Sequence, residues 1–133
     1  MNKKVKPIID GVFEVRDNKV VEGLTAAKCK CGKISFPRKI ICPYCKNQNV
    51  EEIKLSGKGK IYSFAISRIS LEKIKAPYAI GYVDMEEGVR VFGQFKDWNE
   101  ENLKIGREVE VLFEKFGETQ EEEVWTYKFK IVN

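Results

Sequence analysis

Cys29, Cys31, Cys42 and Cys45 are the four cysteines of the chain, and they fall within seventeen residues as Cys-Lys-Cys-Gly and Cys-Pro-Tyr-Cys. Two close pairs with ten residues between them have the spacing at which each pair lends two thiolates to one tetrahedral zinc ion. Redox or catalytic thiols are the competing chemistry. A short segment that buries little apolar surface gains most from a metal cross-link, so structural zinc is the expected role. Four thiolates on Zn²⁺ leave a formal charge of −2, which Lys28, Lys30, Lys33, Lys39 and Lys46 are placed to offset. Phe36-Pro37-Arg38-Lys39 adds a second kind of chemistry. Arg38 and Lys39, with Lys33 nearby, are the candidate anion-binding groups, the guanidinium fork being suited to phosphate oxygens. The plainer alternative is a solvated basic face.

What is missing narrows the chemistry further. The chain contains no histidine, which excludes His-based acid–base catalysis, Ser-His and Cys-His nucleophile pairs and Cys₂His₂ sites. No nucleophile elbow or Gly-rich phosphate loop is present, and no catalytic residue is assigned. Asp84, Glu86 and Glu87 surround an expected turn with no matching acid or nucleophile, and Glu121-Glu122-Glu123 reads as a solvating connection.

The elements that must carry these groups are strands. Val12–Val15 and Val20–Leu24 flank Arg16-Asp17-Asn18-Lys19, which predicts a hairpin with an Asp-Asn turn. Residues 28–49 hold the cysteines, and Ser56-Gly57-Lys58-Gly59 marks a boundary, dividing the chain into 1–55 and 56–133. Beyond it, period-two alternation predicts strands over 61–69, 78–85, 89–96, 107–116 and 125–131. Tyr62, Phe64 and Ile66 are expected on one face of the first. Glu86-Glu87-Gly88 joins the second and third as a hairpin, and Asn99–Leu103 is expected to make one helical turn between the third and fourth. Gly106 is expected to adopt positive φ where the fourth begins. The pattern predicts a mainly β chain, an N-terminal rubredoxin-like zinc ribbon followed by a five-stranded OB-fold barrel. In so small a barrel, most of Tyr62, Phe64, Tyr78, Tyr82, Phe92 and Phe95 are expected to fill the interior. Leu71 and Ile74, in a loop, and Trp98 are the candidate partner-interface residues, unless they fold back over the barrel ends.

Charge is divided unevenly. Residues 1–56 carry twelve Lys/Arg and six Asp/Glu, whereas residues 57–133 carry twelve and fourteen, giving a basic head and a mildly acidic body. No run approaches eighteen apolar residues and Met1-Asn2-Lys3-Lys4 leads into no hydrophobic signal core, which predicts a cytoplasmic protein without membrane attachment.

The run from Cys29 to Cys45, with its Phe36-Pro37-Arg38, is followed by Gly57-Lys58-Gly59-Lys60-Ile61-Tyr62-Ser63, Ala76-Pro77-Tyr78-Ala79-Ile80-Gly81-Tyr82-Val83-Asp84 and Glu87-Gly88-Val89-Arg90-Val91. Together these resemble the successive motifs of the zinc-ribbon/OB-fold proteins long catalogued as a domain of unknown function, over about residues 20–133. The resemblance implies a small accessory subunit of acyl-CoA enzymes, a partner of thiolase-superfamily enzymes and, in archaeal members, of hydroxymethylglutaryl-CoA synthase. It implies bridging those enzymes and helping to hold coenzyme A or acyl-CoA, with Lys33, Arg38 and Lys39 toward its phosphates. Aligning Cys31-Gly32 with the family's second cysteine and glycine puts Lys28 where the first cysteine normally stands. Either Cys29 still ligates in a shortened knuckle, or three cysteines hold the ion. A nucleic-acid-binding ribbon/OB module is the second functional class, and the net negative charge of residues 57–133 argues against it.

Overall fold

Alternating apolar and polar side chains give the C-terminal part five long strands, each with one buried face. In the computed structural model, which describes residues 3–9, 11–36, 41–46, 48, 50–71 and 74–132, these are β6 (Lys58–Ser67), β7 (Tyr78–Met85), β8 (Arg90–Lys96), β9 (Glu108–Glu118) and β10 (Glu122–Ile131). They pair in the order β10-β8-β7-β6-β9, and β9 pairs with β10 to close the ring. The β8–β10 contact is parallel and the others are antiparallel. This closed five-stranded order is the OB-fold barrel expected from the strand pattern.

Five strands precede it, four short and one of 11 residues: β1 (Lys4–Pro7), β2 (Phe13–Arg16), the long β3 (Lys19–Cys29), β4 (Ile34–Ser35) and β5 (Val50–Lys54). The β2–β3 hairpin turns through Asp17 and Asn18, both at positive φ (52° and 60°), as a two-residue turn between right-twisted strands requires. The Asn18 side chain then clamps the chain start. Its Oδ1 accepts from Val5 N at 2.7 Å and its Nδ2 donates to Lys3 O at 2.6 Å. This holds β1, a strand that alternation does not reveal, parallel to β10. The far half of β3 lies between β4 and β5 and ends at Cys29.

One buried cluster joins the parts. Leu24 and Ala26 of β3 and Leu55 pack with Ile61, Val83, Val91, Phe95, Val109, Phe129 and Ile131 of the barrel. The ribbon strands are therefore anchored on the barrel by apolar burial as well as by chain continuity.

The expected helical turn forms as a single turn, in which Leu103 N donates to Asn99 O at 3.1 Å. Asn99 Oδ1 accepts from Glu101 N and Asn102 N at 2.9 and 2.8 Å, the role of an N-cap. Leu103 is thereby driven into the core. Gly106, at φ +88°, launches β9, and Gly88, at φ +89°, shapes the β7–β8 hairpin.

Two expectations about side-chain direction are corrected. A β-bulge interrupts β6: Ile61 faces Val83, yet Ser63 already faces Tyr82. The extra residue turns Tyr62 away from Phe64 and Ile66, which come opposite Gly81 and Ala79. The barrel also does not swallow its aromatics. Tyr78 and Phe95 are buried, but Tyr62, Phe64, Tyr82 and Phe92 are exposed. The interior is filled instead by Phe129 and Phe95 with Ile61, Val83 and Val91. Among the described residues no helix is long and apolar enough to cross a membrane.

Candidate functional site

The ribbon brings the four cysteines together from two tight turns. Cys29 closes β3, and the chain reverses with Gly32 N donating to Cys29 O at 2.9 Å and Cys29 N to Lys33 O at 3.0 Å. Gly32 supplies the positive φ (+91°) that this turn needs. The second turn is closed by Lys46 N donating to Cys42 O at 2.9 Å, with Lys46 itself at φ +63°. All four Sγ atoms then lie within 4.8 Å of one another, with Cys29 and Cys45 3.3 Å apart and Cys31 and Cys42 3.8 Å apart. A tetrahedron with metal–sulfur bonds of about 2.3 Å has sulfur–sulfur edges of about 3.8 Å, inside this range. A disulfide would require about 2.05 Å, and all four are free thiols.

The surroundings favour thiolate at one end of the cluster. The backbone N–H groups of Cys45 and Tyr44 point at the Cys42 sulfur and outweigh its burial, holding this thiol down at about 6. At Cys29 the Cys31 N–H acts in the same direction, but burial and the sulfurs of Cys45 and Cys42 raise its pKa overall. A thiol raised by adjacent sulfurs is one that a cation would relieve. The cluster has the donor set, geometry and hydrogen bonding to hold a metal ion, and the C-x-C pair delivers Cys29 to it alongside the other three.

The remaining candidates are spread around this centre. Lys33 is exposed, with its ammonium 5.8 Å from the centre of the Tyr44 ring. Arg38 and Lys39 lie outside the described residues. An open cleft of about 460 Å³ beside the cluster is lined by Lys28, Lys30, Cys29, Gly32, Val50 and Glu51, so the lysines flanking Cys29 form a basic rim next to the four cysteines. On the barrel, Leu71 is exposed and Ile74 half-buried, and each donates its N–H to the other's carbonyl, at 2.9 and 3.2 Å. Trp98 is half-buried against the core cluster, near the helical turn that caps the barrel. The structure therefore brings the four cysteines together but not Leu71, Ile74 and Trp98 with them.

The face that sequence alternation undervalues is the outer surface of β6–β8. Tyr82 and Phe92 sit opposite each other, their rings 5.2 Å apart and edge to face. One step along, Arg90 faces Asp84 and bonds it through Nε at 2.7 Å, and its guanidinium lies 3.4 Å from the centre of the Tyr62 ring. The signal was present in the parity of the strands. Tyr82 is two residues from Asp84 and Phe92 two from Arg90, so charged neighbours mark these aromatics as outward-facing.

Comparison with known proteins agrees with this architecture. The sequence model for "ChsH2, C-terminal OB-fold domain" matches residues 52–114. A protein of Methanothermobacter thermautotrophicus named a DUF35 domain-containing scaffold protein is 42% identical over 111 residues, covering 80% of this chain and 84% of that protein. Benzoylsuccinyl-CoA thiolase subunit BbsA of Thauera aromatica is 39% identical over 74 residues, covering 55% of this chain and 51% of that subunit. Among solved structures, a chain of the Ltp2-ChsH2(DUF35) aldolase superposes with a TM-score of 0.66 at 19% identity, covering 80% of this chain and 84% of its own, a likeness of fold. With a cysteine-clustered ribbon seated on an OB barrel, and a relative of 42% identity aligned across most of both chains, the chain belongs to the DUF35 family.

Proposed function

We propose that the chain is a non-catalytic scaffold subunit of an acyl-CoA-processing complex. It would bridge a thiolase-superfamily enzyme and, in the same assembly, hydroxymethylglutaryl-CoA synthase, while helping to hold coenzyme A or acyl-CoA between them. The observation that carries this proposal is the 42% identity to a protein named as a scaffold. The similarity to a subunit of a thiolase supports the choice of partner. A sequence without histidine and an OB barrel that leaves Tyr62, Tyr82 and Phe92 exposed fit docking better than bond-making.

In this role the four cysteines would hold Zn²⁺, which when bound supplies a cross-link between the two turns of the ribbon and no reactive chemistry. The residues around it do the positioning. Gly32 and Lys46 shape the turns, the amide groups of Cys31, Tyr44 and Cys45 orient the sulfurs, and Leu24 and Ala26 tie the same strand into the barrel core. The basic rim of Lys28 and Lys30, together with Lys33 and with Arg38 and Lys39, which follow in the sequence, would meet the phosphates of coenzyme A. Two enzymes held on one scaffold hand over an acyl-CoA at raised effective concentration, which needs no acid, base or nucleophile from the scaffold.

The test is to purify the tagged chain from its native host and identify stoichiometric partners by mass spectrometry. A thiolase-superfamily enzyme is expected in the complex, and its absence would refute the scaffold function. Calorimetric titration of the assembled complex with coenzyme A tests the ligand separately.

A further inference from the structure

Among the described residues, none covers three aromatic side chains on the outer face of β6–β8. Tyr62, Tyr82 and Phe92 are 47%, 45% and 47% exposed, although each belongs to a strand whose other face is core. An aromatic side chain carries ~150–250 Å² of buriable surface, so half-exposed rings leave roughly 300 Å² of aromatic surface in water. That is the size at which a monomer's largest apolar patch becomes functional, roughly 300–600 Å².

The patch continues beyond the rings. An open cleft of about 430 Å³ on one side is lined by Tyr62, Asp84 and Ile105, the last 73% exposed. A second cleft, of about 350 Å³, runs between the barrel and the ribbon and is lined by Asp84, Arg90, Phe36 and Tyr44, the last 65% exposed. Asp84 belongs to both, so the two clefts and the rings form one surface across barrel and ribbon. An occupant that covers the rings and both clefts spans the barrel and the ribbon together, which calls for a broad, folded face.

Its electrostatics select the partner further. Arg90 is bonded to Asp84 through Nε at 2.7 Å and Nη2 at 3.4 Å and stacked on Tyr62 at 3.4 Å. The guanidinium is thus fixed in place before binding, which lowers the entropy lost on association. It is also neutralised. Among the described residues, the charged side chains lining the two clefts are Lys60, Arg90, Asp84 and Glu86, two of each sign, with the Lys33 ammonium 5.8 Å from the centre of the Tyr44 ring. A single-stranded nucleic acid needs unneutralised cations beside its stacking platform, whereas aromatic and arginine anchors in a neutral setting are the composition of a protein–protein hot spot.

We infer that the Tyr62–Tyr82–Phe92–Arg90 face is the docking surface for a folded, thiolase-type enzyme subunit that presents an apolar patch of low net charge. This rests on the scaffold function proposed above and specifies where one partner sits. The loop of Leu71 and Ile74 then lies outside the interface.

The test measures binding of a purified thiolase-superfamily enzyme from the same genome by calorimetry. Three full-length proteins are compared: the wild type, the double variant Tyr62→Ala/Phe92→Ala, and Leu71→Ser. The expected result is a loss of roughly 30-fold or more in the double variant and less than about threefold in Leu71→Ser, whose side chain is an exposed loop position. If the double variant does not keep the wild-type thermal transition, the single variant Tyr82→Ala replaces it, with at least about a tenfold loss expected. Wild-type binding that survives these substitutions overturns the assignment of the face while leaving the scaffold function standing. A wild-type chain that binds no thiolase-superfamily enzyme overturns both. Salt-dependent binding of poly(U) that disappears in the double variant would assign the face to nucleic acid and overturn the inference.

Discussion

Replacing Gly81 by alanine probes the contact that turns Tyr62 outward. Gly81 lies on β7 opposite Phe64, just past the bulge in β6. A Cβ there would collide with the Ser63 carbonyl oxygen and would lie 2.8 Å from Phe64 Cα and 2.9 Å from the Ser63 carbonyl carbon. Ordinary carbon–carbon contact is ~3.5–4.0 Å, so β6 would have to retreat by roughly 1 Å. All three obstructing atoms are backbone, and no side-chain rotation relieves them. Overpacking of this kind costs about 1–3 kcal/mol, and a backbone obstruction belongs at the upper end. Gly81 does not adopt positive φ, so alanine also stiffens the unfolded chain, a gain of about 0.4–1 kcal/mol. The net expectation is a loss of about 2 kcal/mol, or roughly 8 °C in Tm for a chain of this size. Thermal and urea unfolding measure it, with an unchanged urea m-value showing that the same surface is exposed. Because the bulge carries Tyr62, the variant is also expected to bind the thiolase-type partner more weakly than its folded fraction accounts for. A Gly81→Ala protein as stable as the wild type, or more stable, would refute the reasoning, since the unfolded-chain gain would then stand unopposed.

The cysteine cluster yields a paired prediction. Because all four sulfurs converge within 4.8 Å, Cys29→Ser and Cys42→Ser are each expected to abolish stoichiometric zinc binding, measured by elemental analysis of protein purified without chelators; a Cys29→Ser protein that keeps one zinc per chain would show that three cysteines suffice. Acid stability depends on Glu114. Partial burial would raise its carboxyl, but Lys128 and Lys96, each 3.1 Å away, hold it below the ordinary glutamate range. Its contribution is therefore present above the unfolded value of about 4.3 and lost as the pH falls through the lower folded value; Glu114→Gln should destabilise the protein at neutral pH and flatten the acid limb of the stability–pH curve, and an unchanged limb would count against it. At the alkaline end, burial pushes Tyr127 up to about 12, and its hydroxyl donates to Phe92 O at 2.6 Å. Its contribution is full below the ordinary tyrosine value of about 10 and lost as the pH rises toward 12; ultraviolet titration of the folded protein should show one late-titrating tyrosine that is absent from Tyr127→Phe.

Much of the barrel could be read from alternation alone. A half-buried strand has to alternate, so β7 was placed at its observed ends and the other four were displaced by no more than a few residues. Turn chemistry was equally legible: Asp17-Asn18 and Gly88 adopt the positive φ that their turns demand, and Asn99 caps its own helical turn. The cysteine cluster was legible as a composition and spacing, since few other arrangements put four thiols so close in a chain.

The direction of Tyr62 was not legible, because in a short barrel the same ring serves as core filling or as a docking anchor. A single inserted residue at Tyr62 reverses which side chains share a face, and nothing local announces the insertion. Parallel pairing of β1 with β10 was hidden for a related reason, as it depends on Asn18 reaching back across the chain to Val5 and Lys3. The sequence by itself determined the periodicity, the turns and the donor set, which are local properties of neighbouring residues. Only the tertiary structure decided that Cys29 joins the other three sulfurs and that Tyr62 turns to the face of Tyr82 and Phe92, its ring against a neutralised Arg90. Both outcomes depend on register and backbone approach between strands distant in sequence, where packing rather than propensity makes the choice.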